Sequence, residues 1–194
     1  GAEALTYTLG GKLGMRVEGF AQARLILIWG SNSIGSNLHF WRLAQQAKRD
    51  GARLVCIDPR RSETAEKCHE HIALRPGTDA ALAYALMHEL VVNDWLDHDY
   101  IERHTLGFEA LRDRALQWPP ERAAEVCGVP AAQIRELSAA MVSVREQMAA
   151  GGGSATAYRE ALDILEVAHS PRRIAGAQAL VEGGVAGRGG VRSD

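Results

Sequence analysis

Residues 24–36 read Arg24-Leu25-Ile26-Leu27-Ile28-Trp29-Gly30-Ser31-Asn32-Ser33-Ile34-Gly35-Ser36. The run Leu25–Trp29 is continuously apolar, too short for a helix and without the alternation of a half-exposed strand. It reads as a strand buried on both faces, as in a parallel sheet. Glycine closes the run, and Gly30–Ser36 is a loop of mostly small residues. Leu38 to Asp50 has helical character and stops at Gly51, a good C-terminal signal. Leu54-Val55-Cys56-Ile57 then repeats the first pattern and ends at Asp58-Pro59. Strand, helix and strand make a βαβ unit, for which a right-handed crossover is expected.

Working outward, a third short strand is expected at Ile72–Leu74, running into Arg75-Pro76-Gly77-Thr78-Asp79. Ala80 to about Val92 is apolar nearly all round and reads as a buried helix that Thr78 or Asp79 can cap. Smaller helices follow, separated by Gly107, by Pro119-Pro120 and by Gly128-Val129-Pro130, with Pro120 and Pro130 suited to first turns. Ala131 to about Ala149 is a long helical stretch. Beyond Gly151-Gly152-Gly153 the composition turns glycine-rich. Ser154 can cap a helix to about His169, Ser170-Pro171 can start another, and Val185–Asp194 reads as a frayed tail. No internal repeat occurs at a fixed period. The expected fold class is therefore α/β: an open, mostly parallel sheet flanked by helices, Rossmann-like in three layers, with a helical C-terminal extension. Residues 1–150 are expected to be a binding domain and 151–194 the extension.

Composition narrows the function. The chain has 194 residues, with 22 Lys+Arg against 24 Asp+Glu and a formal charge of −2. That balance argues against nucleic acid as a partner, which leaves a basic excess. No apolar run approaches the roughly 20 residues of a membrane helix, so no membrane span is expected. Cys56, Cys68 and Cys127 form no CxxC pair, which disfavours a disulfide framework, a thiolate zinc site or an iron–sulfur cluster in this stretch. Reduced thiols suit a cytoplasmic location. The chain begins with Gly1 rather than Met and shows no signal segment, which leaves a processed or clipped start open.

The informative feature is where three polar loops fall. Trp29-Gly30-Ser31-Asn32-Ser33-Ile34-Gly35-Ser36 follows the first strand, Asp58-Pro59-Arg60-Arg61 the second and Pro76-Gly77-Thr78-Asp79 the third. In a parallel sheet all three sit at the carboxyl edge, where ligands bind. Gly30 and Gly35 let backbone N–H groups approach a phosphate. Arg60 and Arg61 offer planar forks for a pyrophosphate or ribose. Asp79 or Asp58 can accept two hydrogen bonds from the donor edge of guanine, or hold a ribose diol. Thr78 and its helix N-terminus suit an anion. Each motif alone is also an ordinary turn or strand end. Gly30 and Gly35 have Walker spacing, but Ser36-Asn37 stands where Lys-Ser/Thr is required. No G-x-G-x-x-G is present, so a standard NAD site fits poorly, although Asp58 is placed like a ribose-binding acid.

The combination is more specific. "ARLILIWGSN", "GARLVCIDPRRSETA" and "RPGTDAALA", followed by "HDYIERHTLGFEAL" and "CGVPAAQIRELSAAM", resemble in order and spacing the molybdopterin oxidoreductase, or dimethyl-sulfoxide-reductase, family. The resemblance covers roughly Thr8 to Met141. It implies an α/β domain that binds one guanine dinucleotide of a bis-pterin molybdenum cofactor, with tungsten as an alternative metal. By the same resemblance, Trp29 to Ser36 cradle the dinucleotide, and Ile57, Asp58, Pro59, Arg60 and Arg61 contact its nucleotide end. Gly77, Thr78 and Asp79 complete the pocket. The implied partners are the remaining domains of a larger enzyme and an electron-transfer protein. The family's metal ligand and iron–sulfur segment match no residue here, so these residues are expected to bind cofactor, not to catalyse, and the chain alone to show little or no turnover.

Two other readings stay open: a stand-alone nucleotide- or cofactor-binding protein, and an NAD(P)-binding domain. Other polar residues have plainer roles. Cys68-His69-Glu70-His71 would need a further ligand from elsewhere to bind zinc or copper, and its default is the start of a strand. Asp97-His98-Asp99 and His104-Thr105 read as a solvated loop and a structural histidine. His39 can approach a cofactor or simply pack its helix. Trp29 and Trp41 can stack on a pterin or guanine, though core packing is the commoner role. Cys56 reads as an inert filler in a buried strand.

Overall fold

A computed structural model describes Thr6 and residues 16–150, the last four as backbone only. A short 3-10 helix, Val17–Gln22, leads into strand β1 (Leu25–Trp29). Helices α1 (Ser33–Ser36) and α2 (Leu38–Arg49) follow, then β2 (Arg53–Ile57), α3 (Glu63–Lys67) and β3 (Glu70–Ile72). The remainder is helical: α4 (Asp79–Val92), α5 (His98–His104), α6 (Phe108–Ala115), α7 (Pro120–Cys127) and α8 (Ala131–Ala150). The sheet runs in the order β1-β2-β3 and is parallel throughout. The α/β class expected from the sequence is the one observed; the proposed extension from residue 151 lies outside the described residues.

Alternation along the strands assigns the two faces. Ile26, Ile28 and Leu54 turn towards α2, where Ala44 and Ala47 are small enough to let the helix lie close. Val55, Ile57 and Ile72 turn the other way, onto Ala81, Leu82, Ala85 and Leu86 of α4. Behind α4 the same core continues through Ala123 and Cys127 of α7 to Ile134 and Leu137 of α8. The sheet is thus a layer between helices. Packing on several sides explains why α4 lacks a polar stripe. Leu25, Leu27 and Trp29 are only half-covered, because β1 is an edge strand among the described residues.

Five local expectations change. Residues 33–36 are a helical turn rather than plain loop: the N–H groups of Gly35 and Ser36 both donate to Asn32 O at 3.0 Å. Helix α3 is additional to the sequence reading; Ser62 caps it, accepting from Ala65 N at 3.3 Å. The third strand starts at Glu70, not Ile72. Glu70 is anchored there by Arg53 Nη2 (2.6 Å) and Gln133 Nε2 (2.8 Å), while Leu74 lies past the strand yet is buried in the core. The Thr78 side chain does not cap α4; its Oγ1 donates backward to Arg75 O at 2.6 Å. Pro120 occupies the first turn of α7, as expected, whereas Pro130 precedes α8 and accepts the Ile134 N–H at 3.1 Å.

Candidate functional site

Because the strands are parallel and in register, the segments leaving β1, β2 and β3 emerge from one edge of the sheet. Gly30, at the end of β1, has φ +61°, a conformation that costs any residue with a Cβ. Its N–H donates to Ile57 O at 2.9 Å, tying the first loop to the end of β2. A Cβ at Gly35 would come 3.3 Å from Asn32 Nδ2, so glycine there leaves the Asn32 amide its place. Within the turn, Ser36 Oγ donates to Asn32 O at 2.9 Å, and the Ser31 and Ser33 hydroxyls share a 3.1 Å hydrogen bond. Ser33 is buried; Gly30, Asn32, Gly35 and Ser36 are exposed.

The second loop is built on Asp58. Its N–H donates to Ile72 O (3.1 Å), and its Oδ1 accepts the Arg60 N–H (2.7 Å), an Asx-type turn. His71 Nε2 donates to Asp58 O at 2.8 Å, which fixes the proton on that ring nitrogen. Pro59, Arg60 and Arg61 are exposed. The Ile57 side chain is fully buried, so at this edge it offers only backbone.

The third loop is held from behind. Arg75 N–H donates to Cys127 O (2.8 Å), and its guanidinium Nη1 donates to Glu125 O (2.7 Å) and Val126 O (3.2 Å) at the C-terminal end of α7. Cationic groups suit that end of a helix. Gly77 has φ +77°, and no atom lies within 4 Å of where a Cβ would stand on it or on Gly30, so the space above both is open. Asp79 opens α4 and is exposed. Trp29 Nε1 donates to Asp79 Oδ1 at 2.7 Å, a charge-assisted hydrogen bond joining the first loop directly to the third. The indole N–H is therefore engaged at the edge while the ring packs, half-buried, against the core.

The sequence reading did not single out Thr64. It lies in α3 with no exposed surface, and its Oγ1 donates to Asn32 Oδ1 (2.8 Å) while accepting the Ile34 N–H (3.1 Å). Nothing in the neighbouring sequence signals a partner 32 positions earlier. The Cys68–His71 cluster is occupied with fold-building. His69 Nδ1 accepts the Leu54 N–H at 3.0 Å, and His71 is engaged as described. Burial, then Lys48 and Arg53, hold the His69 pKa below the usual 6.5. Burial is also the main reason the Cys56 thiol is pushed up to about 11, and a neutral thiol is a poor nucleophile and metal ligand. Among the described residues no group of three or more His, Cys, Asp or Glu is arranged to hold a metal ion. Nor is any described helix long and apolar enough to cross a membrane.

The family model described as molybdopterin oxidoreductase matches residues 4–179, which carries the likeness beyond Met141. A probable oxidoreductase of Bacillus subtilis, YoaE, is 33% identical over 138 residues, covering 71% of this chain and 20% of that protein. The F420-dependent formate dehydrogenase subunit alpha of Methanocaldococcus jannaschii is 34% identical over 113 residues, 58% of this chain and 17% of that one. Among solved structures, acetylene hydratase from Pelobacter acetylenicus superposes with a TM-score of 0.62 at 28% identity, covering 71% of this chain and 19% of the other. The chain spans about a fifth of the length of these relatives.

Proposed function

The chain belongs to the molybdopterin oxidoreductase family, and from that premise we propose that residues 29–36, 57–61 and 77–79 grip the guanine dinucleotide of a bis-pterin molybdenum cofactor. Membership implies a molybdenum or tungsten pterin cofactor; the guanine dinucleotide form is our own reading. Bound, that group supplies redox chemistry through its metal, and the protein supplies binding, orientation and tuning. The available groups fit. In the first loop the N–H groups of Gly30, Ile34, Gly35 and Ser36 are spent on the fold, so the backbone donors that suit phosphate oxygens are those of Ser31, Asn32 and Ser33, beside the exposed Arg60 and Arg61. Open space above Gly30 and Gly77 gives a ligand room. The second oxygen of Asp79 and the remaining lone pairs of the first suit the N–H edge of guanine.

The observation that carries this reading is the 2.7 Å bond from Trp29 to Asp79. It aims a carboxylate at the shared edge and ties together the loops meant for the two ends of one dinucleotide. Asp58 favours the NAD(P) reading less, since its Oδ1 already accepts from its own loop. Redox catalysis of the formate-dehydrogenase or reductase kind is proposed for the whole enzyme. Its further domains would complete the cofactor site, provide any iron–sulfur cluster and meet the electron partner. Residues 1–150 would form the binding domain and 151–194 an extension. The three free thiols suit a cytoplasmic setting.

The test is calorimetric titration of the full chain with GDP, ADP and NAD. GDP should bind in preference to both others. Asp79→Ala should weaken GDP by about tenfold or more, the size expected for hydrogen bonds to a charged group, and leave ADP and NAD unaffected. NAD binding as tightly as GDP, or an Asp79→Ala chain that holds GDP unchanged, would overturn the assignment.

A further inference from the structure

Thr64 lies beneath the first loop and meets it through two hydrogen bonds. It is fully buried, and its hydroxyl is saturated in one direction: it accepts the Ile34 N–H at 3.1 Å and donates its single proton to Asn32 Oδ1 at 2.8 Å. That second bond has a chemical consequence for Asn32. A flip of the amide would strand the proton of the fully buried hydroxyl without an acceptor, so Oδ1 is held towards Thr64 and both protons of Nδ2 face away from α3. Nδ2 makes no hydrogen bond among the described residues, Asn32 is exposed, and the absent Cβ of Gly35 gives the amide its space. The backbone of Asn32 is fixed as well, since its carbonyl accepts from Gly35 N, Ser36 N and Ser36 Oγ.

We infer that Thr64 is a positioning residue for the dinucleotide site, holding Asn32 so that its Nδ2 donates to a phosphate oxygen of the ligand. Helix α3 sets the geometry of the loop after β1 through this one hydroxyl. The helix is in turn placed by the Ser62 cap and by the short link from β2. The inference rests on the dinucleotide reading and deepens it. It assigns the orienting role to a residue of the second crossover that contacts no ligand.

The experiment uses the full chain and GDP as probe, with melting temperature read alongside affinity. Asn32→Asp keeps an oxygen for Thr64 to donate to and replaces the Nδ2 donor by an anion. It should lower GDP affinity about tenfold or more at an unchanged melting temperature. Thr64→Val removes the hydroxyl at nearly constant volume and should cost about five- to tenfold in affinity, whereas Thr64→Ser should restore binding. Because Thr64 acts through Asn32, the loss from Thr64→Val should vanish in the Asn32→Asp background; a merely structural role would give the same loss in both. Equal losses in both backgrounds, or GDP binding by Asn32→Asp as tight as by the unmodified chain, would overturn the inference. Should Thr64→Val fail to fold, the Asn32→Asp result decides alone. If the unmodified chain binds no GDP, the dinucleotide reading fails first, and the two failures are thereby distinguished.

Discussion

His69 gives the molecule a titratable backbone partner. Its Nδ1 accepts the Leu54 N–H, and its own N–H donates to Leu54 O at 2.9 Å, so one residue closes the start of the β2–β3 pairing with ring and main chain together. Only a ring with a bare Nδ1 can accept. The residue is largely exposed, so its effect is small, but partial desolvation and the nearby Lys48 and Arg53 hold the folded pKa below 6.5, the value of an unperturbed ring. The unfolded chain therefore takes up the proton more readily. The contribution of this ring to stability is complete above about pH 6.5 and is lost as pH falls below that value and through the lower folded one. We expect the urea midpoint to fall between about pH 7 and about pH 5. His69→Asn, whose side-chain oxygen takes the place of Nδ1 without titrating, should flatten this part of the profile. An unchanged slope in that variant would place the pH dependence elsewhere.

At the scale of elements, α3 is the part the sequence concealed. It spans only Glu63–Lys67, less than two turns, so it offers no apolar periodicity to read. Its one local signal is Ser62 ahead of Glu63, the pattern of a cap with an acidic first turn. Ser62→Ala should therefore destabilise the chain by about 1 kcal/mol in urea titrations, and a cost near zero would show that tertiary packing alone holds α3. The larger elements were legible because their signals are redundant. β1 and β2 are continuous apolar runs closed by Gly30 and Asp58-Pro59, and α4 is long and apolar throughout. The start of β3 is hidden from the sequence because Glu70 is polar there but paired in space with Arg53 and Gln133, and Gln133 comes from 63 positions later. The three loops of the proposed site are legible as segments, from their place after the strands. Their mutual bonds are not: Trp29 to Asp79 and Thr64 to Asn32 connect residues 50 and 32 positions apart. No local pattern encodes such a pairing.

For the described molecule as a whole, one core joins the inner face of the sheet to α4, α7 and α8. Leu82 lies within it with no exposed surface. Leu82→Ala should cost about 2–5 kcal/mol, and because the core is shared, sheet and helices should lose structure in a single transition. Circular dichroism of the helices and fluorescence of Trp29, which packs against the same core, should report the same urea midpoint in a chain whose Trp41, Trp95 and Trp118 are replaced by Phe. Two separated midpoints would mean that the sheet and the helices behind it melt as independent units.

The indole–carboxylate bond makes the sequence motifs a set rather than a collection. A loop transplanted from this sheet into another would carry an indole N–H that has lost its acceptor. Conversely, borrowing only the loop that opens α4 would leave an acidic group with no clasp to aim it. Exchange of these motifs between related proteins, in the laboratory or by recombination, is therefore expected to succeed when both travel together and to fail when either travels alone.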